Sequence, residues 1–305
     1  MRLWLRGFAL VALVALLPLQ AYAAVGPVPP RLPFPPLPRP TPPLTVDHPP
    51  AYLVGSFDNG DRDALKVALT FDADMTTGML LQLQRGLVAS WYNAEVVDIL
   101  HQENVPATSF MTGLWAETYP DVARQLAADP LFEIGNHTYD HAAFRLPCYG
   151  LGGAIDRAGE ITRGQDAITG VTGQTPKLLR FPGDCYSGDD VQLARQSGLK
   201  VISGDVRSGD GFNASALTIT ATVLSQVRAG SIVLMHLHGG PNAPNTASAL
   251  RQIVPVLKAR GYQLVTVSDL LGFNAGSTPA FAYATPGDGY DGWIDRRLAG
   301  SSIVY

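Results

Sequence analysis

Cysteine is scarce in this 305-residue chain: Cys148 and Cys185 are the whole supply. A small disulfide-stapled fold and an all-cysteine zinc site are thereby excluded, since both need several clustered thiols. Charge is thin too, at 16% of residues, where about a quarter is usual for a soluble domain. Basic residues do not outnumber acidic ones, 22 against 26 for a net charge of −4, which argues against nucleic acid as a partner. No G-x-G-x-x-G follows a strand-like segment, so a dinucleotide fold has no support. No internal repeat is visible. Beyond the first twenty residues no apolar run is long enough to span a bilayer.

What is present begins with an export signal. Arg2 and Arg6 precede an apolar stretch, Phe8–Leu19, and Ala21-Tyr22-Ala23 forms an A-x-A cleavage site. Residues 1–23 therefore read as a signal peptide, with an uncleaved anchor as the alternative. Its removal leaves 20 basic against 26 acidic residues, a net −6. The expected location is secreted, periplasmic or in the cell envelope. Residues 24–50 hold twelve of the 24 prolines. Proline fixes φ and lacks an N–H, so this segment reads as a stiff linker that could associate the chain with the envelope. Residues 51–273 have the composition of one globular domain, and 274–305 form a C-terminal extension without a clear period.

Strand-like and helix-like segments alternate through the domain. Lys66–Phe71, Ala107–Met111, Phe132–Gly135, Lys177–Phe181, Leu199–Gly204, Ser231–Met235 and Tyr262–Val267 read as strands. Helical spacing falls between them, at Tyr92–Gln102, Pro120–Ala128, Ala154–Thr169, Asp189–Gln196, Leu217–Arg228 and Ala247–Arg260. Such alternation predicts an α/β fold with parallel strands and right-handed crossovers. About seven strands fit a distorted (β/α) barrel, with an open doubly wound sheet as competitor.

Polar residues cluster where these strands end, on the face that carries chemistry in a parallel barrel. The first strand runs into Asp72 and Asp74. The third is followed by His137-Thr138-Tyr139-Asp140-His141, a spacing that would put two imidazoles on one face of a helical turn. The fourth ends in Arg180-Phe181-Pro182-Gly183-Asp184, and Arg180 needs an anionic partner, for which Asp72 is the obvious choice. Asp205 and Asp210 follow the fifth, and His236 and His238 end the sixth. Four of the six histidines lie in two strand-end segments. Together these are the parts of a metal-assisted hydrolase: a carboxylate base, a His-His-carboxylate metal set and a histidine acid.

The motifs resemble those of the polysaccharide deacetylases of carbohydrate esterase family four, the NodB-like domain, over roughly Leu65 to Leu271. Thr70-Phe71-Asp72-Ala73-Asp74 stands where the family has T-F-D-D-G. His137 to His141 meets H-[ST]-x-x-H in full. Arg180 to Gly183 matches R-x-P, with Asp184 in place of the family's glycine. Asp210-Gly211 stands for Asp-Trp, and Leu234-Met235-His236 for L-x-H. The resemblance implies a NodB-like barrel that removes acetyl groups from N-acetylated glycans with a divalent metal. Histidine and carboxylate ligands suit Zn best, with Co and Ni as alternatives. It also implies roles: Asp72 as base held by Arg180, His137 and His141 as metal ligands, His236 as acid supported by Asp210, and the amide at Gly183 as an oxyanion donor. Cys148 and Cys185 follow the second and third motifs, whose loops should be neighbours, so a disulfide is expected; two free thiols are the alternative.

Two departures matter. The family's metal carboxylate falls at Ala73. In extended backbone residues i and i+2 share a side, so Asp74 could face the site with Asp72 while Ala73 points away. Gly211 in place of Trp removes an aromatic wall. Ala73 also favours an alternative, a weak or inactive carbohydrate-binding descendant of the fold. A hydrolase acting on a non-sugar amide or ester is the third reading.

Overall fold

A computed structural model describes residues 55–275. The expected signal peptide, linker and all but the first residues of the C-terminal extension lie outside the described residues. No helix among the described residues is long and apolar enough to cross a membrane.

Strand β1 (Lys66–Ala73) is the centre of the sheet. Its neighbours are β2 (Ala107–Met111) on residues Thr70–Ala73 and β7 (Ile232–His236) on Ala68–Asp72, both parallel. The path continues from β2 to β3 (Phe132–Asn136), β4 (Leu178–Leu179) and β5 (Lys200–Val201), and from β7 to β6 (Val206–Arg207). The eighth strand, β8 (Gln263–Val265), pairs with the first three residues of β1. All pairings are parallel, and the path ends β5 and β6 are separated only by residues 202–205. This is a distorted, incompletely closed (β/α) barrel, in keeping with the alternation of strand and helix segments.

Alternation along β1 explains how the site is set. Val67, Leu69, Phe71 and Ala73 join the apolar cluster under the helices, and Met75 continues the series. Ala68 faces the barrel interior with Phe110, Leu178, Ile202 and Ile232. The interior is apolar at the bottom and polar at the top, where Thr70, Asp72 and Asp74 follow on the same side. Strand β7 repeats the scheme: Val233, Met235 and Leu237 pack outward, while His236 and His238 follow Ile232 inward.

The outer layer is helical. It comprises α1 (Thr77–Gln84), α2 (Ala94–Gln102), α3 (Gly113–Thr118), α4 (Pro120–Ala128), α5 (Arg157–Thr172), α6 (Gly188–Gln196), α7 (Ala216–Gln226), α8 (Thr246–Ala259) and α9 (Val267–Leu270). Of these α1, α3 and α9 were not anticipated from spacing. The strand expected over Lys177–Phe181 shrinks to two residues, as does that over Leu199–Gly204, and β6 forms where the segment spacing predicts no strand. Phe181 is buried instead against Phe144 and Tyr186. A single bond pair suffices to hold so short a strand, and it leaves no periodic pattern.

Candidate active site

The expected pairing of Asp72 with Arg180 is present and wholly inside the barrel. Arg180 Nη1 donates to Asp72 Oδ1 at 2.7 Å and to Thr70 Oγ1 at 2.8 Å. Its Nη2 donates to the carbonyl of Ser203 at 3.1 Å, and the guanidinium lies 4.2 Å from the ring centre of Phe110. Arg180 is fully buried, so every charge-stabilising partner must come from the protein. The pairing occupies one oxygen of Asp72. The other, Oδ2, faces His137 Nε2 at 3.7 Å.

Asp74 lies in the same site, on the same side as Asp72, while Ala73 packs with the helices. Its Oδ1 is 3.3 Å from His137 Nε2 and its Oδ2 is 3.6 Å from His141 Nε2. Asp74 Oδ1 and His137 Nε2 are buried and neither makes a hydrogen bond among the described residues. His137 is fixed from behind by a 2.8 Å bond between its Nδ1 and the Arg180 carbonyl. That bond puts the N–H on Nδ1 and turns the Nε2 lone pair toward Asp74. Buried acceptors converging on one point without a donor are what a cation requires, and Asp74, His137 and His141 have ligand atoms mutually within 4.8 Å. The donor set fits a divalent ion.

The two histidines do not sit on a helical turn. Thr138 and His141 have φ of +67° and +63°, the left-handed region, so the segment is a loop. Side chains from α5 and β3 hold it. Asn136 Oδ1 accepts from the Thr138 amide at 2.7 Å, and Glu160 Oε2 accepts from the amides of Tyr139 and Asp140 at 3.2 Å. The rings still come together, with centroids 4.9 Å apart. Glu160 was not anticipated, because only the fold brings it beneath the loop.

His236 is held as expected by Asp210. Its Nδ1 is 2.7 Å from Asp210 Oδ1, and its amide donates to Oδ2 at 2.8 Å. Ser208, Thr246 and the Gly211 amide also donate to this carboxylate. The Nε2 of His236 points toward Asp74, 3.8 Å from Oδ2. His238 arrives from the same strand end, with Nδ1 3.3 Å from Asp74 Oδ2. It was visible in the sequence at i+2 from His236, but no motif gave it a role. Asp205 is a structural residue, bonded to Arg62, Ser231 and the Ile232 amide.

Protonation follows burial and neighbours. Burial would raise the Asp74 carboxyl, but the attraction of His141 and His238 outweighs it and holds the group well below the usual range. Burial lowers His141 to about 4, leaving a neutral imidazole suited to ligation. At His137 burial is outweighed by Asp72 and Asp74, and the value is raised. Burial also works against His236⁺, yet the Asp210 carboxylate pushes it up to about 10.

Asp72, Asp74, His141 and His236 open into a cleft of about 70 Å³. Gly183 lines it at φ +60°, with Asp184 also at +60°. Glycine is the usual residue there; aspartate tolerates the conformation, and Asp184 uses its carboxylate to pair with Arg207 and accept from Ser203. At Gly211 a Cβ would stand 2.6 Å from the His236 ring, so a larger side chain would displace that ring. Aromatic lining comes instead from Phe212 and Tyr149, whose ring centroids are 4.9 Å apart. A disulfide joins Cys148 to Cys185, as expected, and fixes the Tyr149 loop beside Gly183.

Comparison with known proteins agrees with this architecture. A sequence model described as polysaccharide deacetylase matches residues 59–202. A peptidoglycan-N-acetylglucosamine deacetylase of Bacillus cereus is 31% identical over 183 residues, 59% of this chain and 82% of that protein. The chain belongs to the polysaccharide deacetylase family. It is also similar to a chitooligosaccharide deacetylase of Azorhizobium caulinodans, 30% identical over 187 residues, covering 55% of this chain and 83% of the relative. Among solved structures, a peptidoglycan N-acetylglucosamine deacetylase in complex with an N-oxidanyl-benzamide is 26% identical. Its TM-score is 0.60, over 72% of this chain and 94% of that one.

Proposed function

We propose that this chain is an exported, metal-dependent de-N-acetylase that hydrolyses acetamide groups of an N-acetylglucosamine-containing glycan of the cell envelope. The carrying observation is the convergence of Asp74 Oδ1 and His137 Nε2, buried and without a hydrogen-bond partner among the described residues, with His141 beside the Asp72–Arg180 pair. In this reading residues 1–23 direct export, 24–50 tether the catalytic domain, and the relatives' named substrates indicate the glycan class.

Asp74, His137 and His141 would hold the ion, Zn²⁺ by the chemistry of the set. When bound it polarises the acetyl carbonyl and acidifies water. Asp72 takes the proton on Oδ2, the oxygen Arg180 leaves free. His236 delivers a proton from Nε2 to the departing amine, while Asp210 fixes its other nitrogen. The Gly183 amide assists at the oxyanion. Phe212 and Tyr149 give the sugar an apolar face. The non-catalytic alternative rested on Ala73, and Asp74 supplies a carboxylate to the same cluster.

The test is acetate release from peptidoglycan, chitooligosaccharides and a non-sugar acetamide, before and after chelation. Release from the glycans, loss on chelation and recovery with Zn²⁺ are expected. Glycan binding without acetate release under every metal condition would instead establish the carbohydrate-binding reading.

A further inference from the structure

His238 is not used by that mechanism, yet it is 3% exposed, and neither ring nitrogen has a hydrogen-bond partner among the described residues. A neutral imidazole carries one donor and one acceptor, and buried polar groups are nearly always satisfied. The continuation of β7 brings it to the Oδ2 side of the Asp74 carboxylate. The Trp91 ring lies against it, centroids 6.1 Å apart, and shields it from water.

We propose that Asp74, His236 and His238 form a second cation seat, for a divalent ion such as Zn²⁺, whose filling inhibits the enzyme. His238 Nδ1 and His236 Nε2 stand 3.3 and 3.8 Å from Asp74 Oδ2. All three ligand atoms lie within 4.8 Å of one another, the same span as in the Asp74, His137 and His141 set. Ligand bonds of about 2.0–2.2 Å at tetrahedral angles put ligand atoms roughly 3.3–3.6 Å apart. The 3.3 Å separation falls in that range and the 3.8 Å separation lies just outside it, so filling the seat draws His236 inward. His236 already has the buried carboxylate of Asp210 on its other nitrogen, the arrangement that orients metal-bound imidazoles.

Asp74 has two oxygens: Oδ1 faces His137, while Oδ2 faces His238 and His236 and also stands 3.6 Å from His141, so Oδ2 is common to both seats. One carboxylate can bridge two ions. The second ion then meets the charge of the first and binds more weakly. An ion on His236 Nε2 takes the lone pair that must carry the proton to the leaving amine. Turnover therefore rises with the first equivalent of metal and falls with the second. This consequence rests on the function proposed above; the stoichiometry does not.

The test uses the chelator-stripped native protein and its His238→Gln and His141→Gln variants, dialysed against increasing free Zn²⁺, with bound zinc per chain measured by elemental analysis. The native protein should bind two ions, the second at least tenfold more weakly, and His238→Gln one. Acetate release by the native protein should fall as the second ion binds. Saturation of the native protein at one ion overturns the proposal, as does a second ion retained by His238→Gln or a second ion without loss of rate. Should His238→Gln fail to fold, His236→Gln takes its place, and the native stoichiometry remains decisive. One ion in the native protein, lost in His141→Gln, overturns the second seat but leaves the proposed function intact. No ion in the native protein brings down both.

Discussion

At the scale of single residues, Asp72 and Ala73 differ by one position and by everything in their surroundings. Asp72 has one oxygen fixed by Arg180 and one free toward the site. Asp72→Asn keeps an acceptor for Arg180 but cannot take a proton. It should lower kcat by about 10²–10⁴ while zinc content stays near that of the parent. Unchanged turnover would remove Asp72 from its role. Ala73 is fully buried among apolar residues. Restoring the family's carboxylate there by Ala73→Asp should not build a better metal site. It places a charge in the helix-facing core and should cost roughly 3 kcal/mol or more of stability. Denaturant unfolding checks this, and a gain in zinc affinity with no loss of stability would refute the assignment of faces. Most of these residues were legible in the sequence because each stands at a strand end inside a short motif. His238, Glu160 and Tyr149 carry no motif. Their place depends on a strand continuing past its last ladder bond, on a helix packing beneath a loop, and on a disulfide.

Elements were legible where they are long and periodic. Strand β1, with apolar residues on both faces, and α8, with its buried stripe, fall within a few residues of expectation. The two-residue strands β4, β5 and β6 were overextended or missed, since pairing rather than pattern defines them. The spacing of His137 and His141 suggested a helix, whereas bonds from Asn136 and Glu160 hold a left-handed loop. The Cys148–Cys185 bridge acts at this scale too, tying the Tyr149 loop to the Gly183 turn across a separation of 37 residues. On the loop-entropy model a closure of this length stabilises by about 3–4 kcal/mol. A Cys148→Ser, Cys185→Ser double variant should lose about that much in urea unfolding. It should also lose glycan affinity, measured as a rise in KM larger than the fall in kcat, because Tyr149 is freed. Equal stability of the variant and the native protein would mean the bridge constrains nothing.

For the whole molecule, the buried charges make stability depend on pH in separate windows, best seen with the metal stripped. His236 is raised from 6.5 to about 10. Its contribution is complete below pH 6.5 and is lost as pH rises toward 10, because the native state then holds a proton the unfolded chain has released. Asp58, half-buried near Asp205, is raised from 3.8 to about 6 by burial and by that neighbouring carboxylate. A raised carboxyl has the same sign, so stability falls between pH 3.8 and 6. His141, lowered to about 4, acts oppositely and adds stability as pH rises from 4 to 6.5. The native protein should therefore change little between pH 4 and 6.5, where these two oppose each other, and weaken steadily from 6.5 to 10. Asp58→Asn removes one opponent. It should match the parent near pH 4 and exceed it by about 1–3 kcal/mol at pH 6.5 and above. His236→Gln should flatten the alkaline decline, a change on the order of 3 kcal/mol between pH 6.5 and 10. Both follow from urea unfolding across pH in chelator. If Asp58→Asn gains its stability at pH 4 rather than above 6, the Asp58 carboxyl is not the group being held neutral. His137 is raised too and keeps part of the slope; if the slope is undiminished in His236→Gln, the Asp210–His236 pair is not what binds the extra proton.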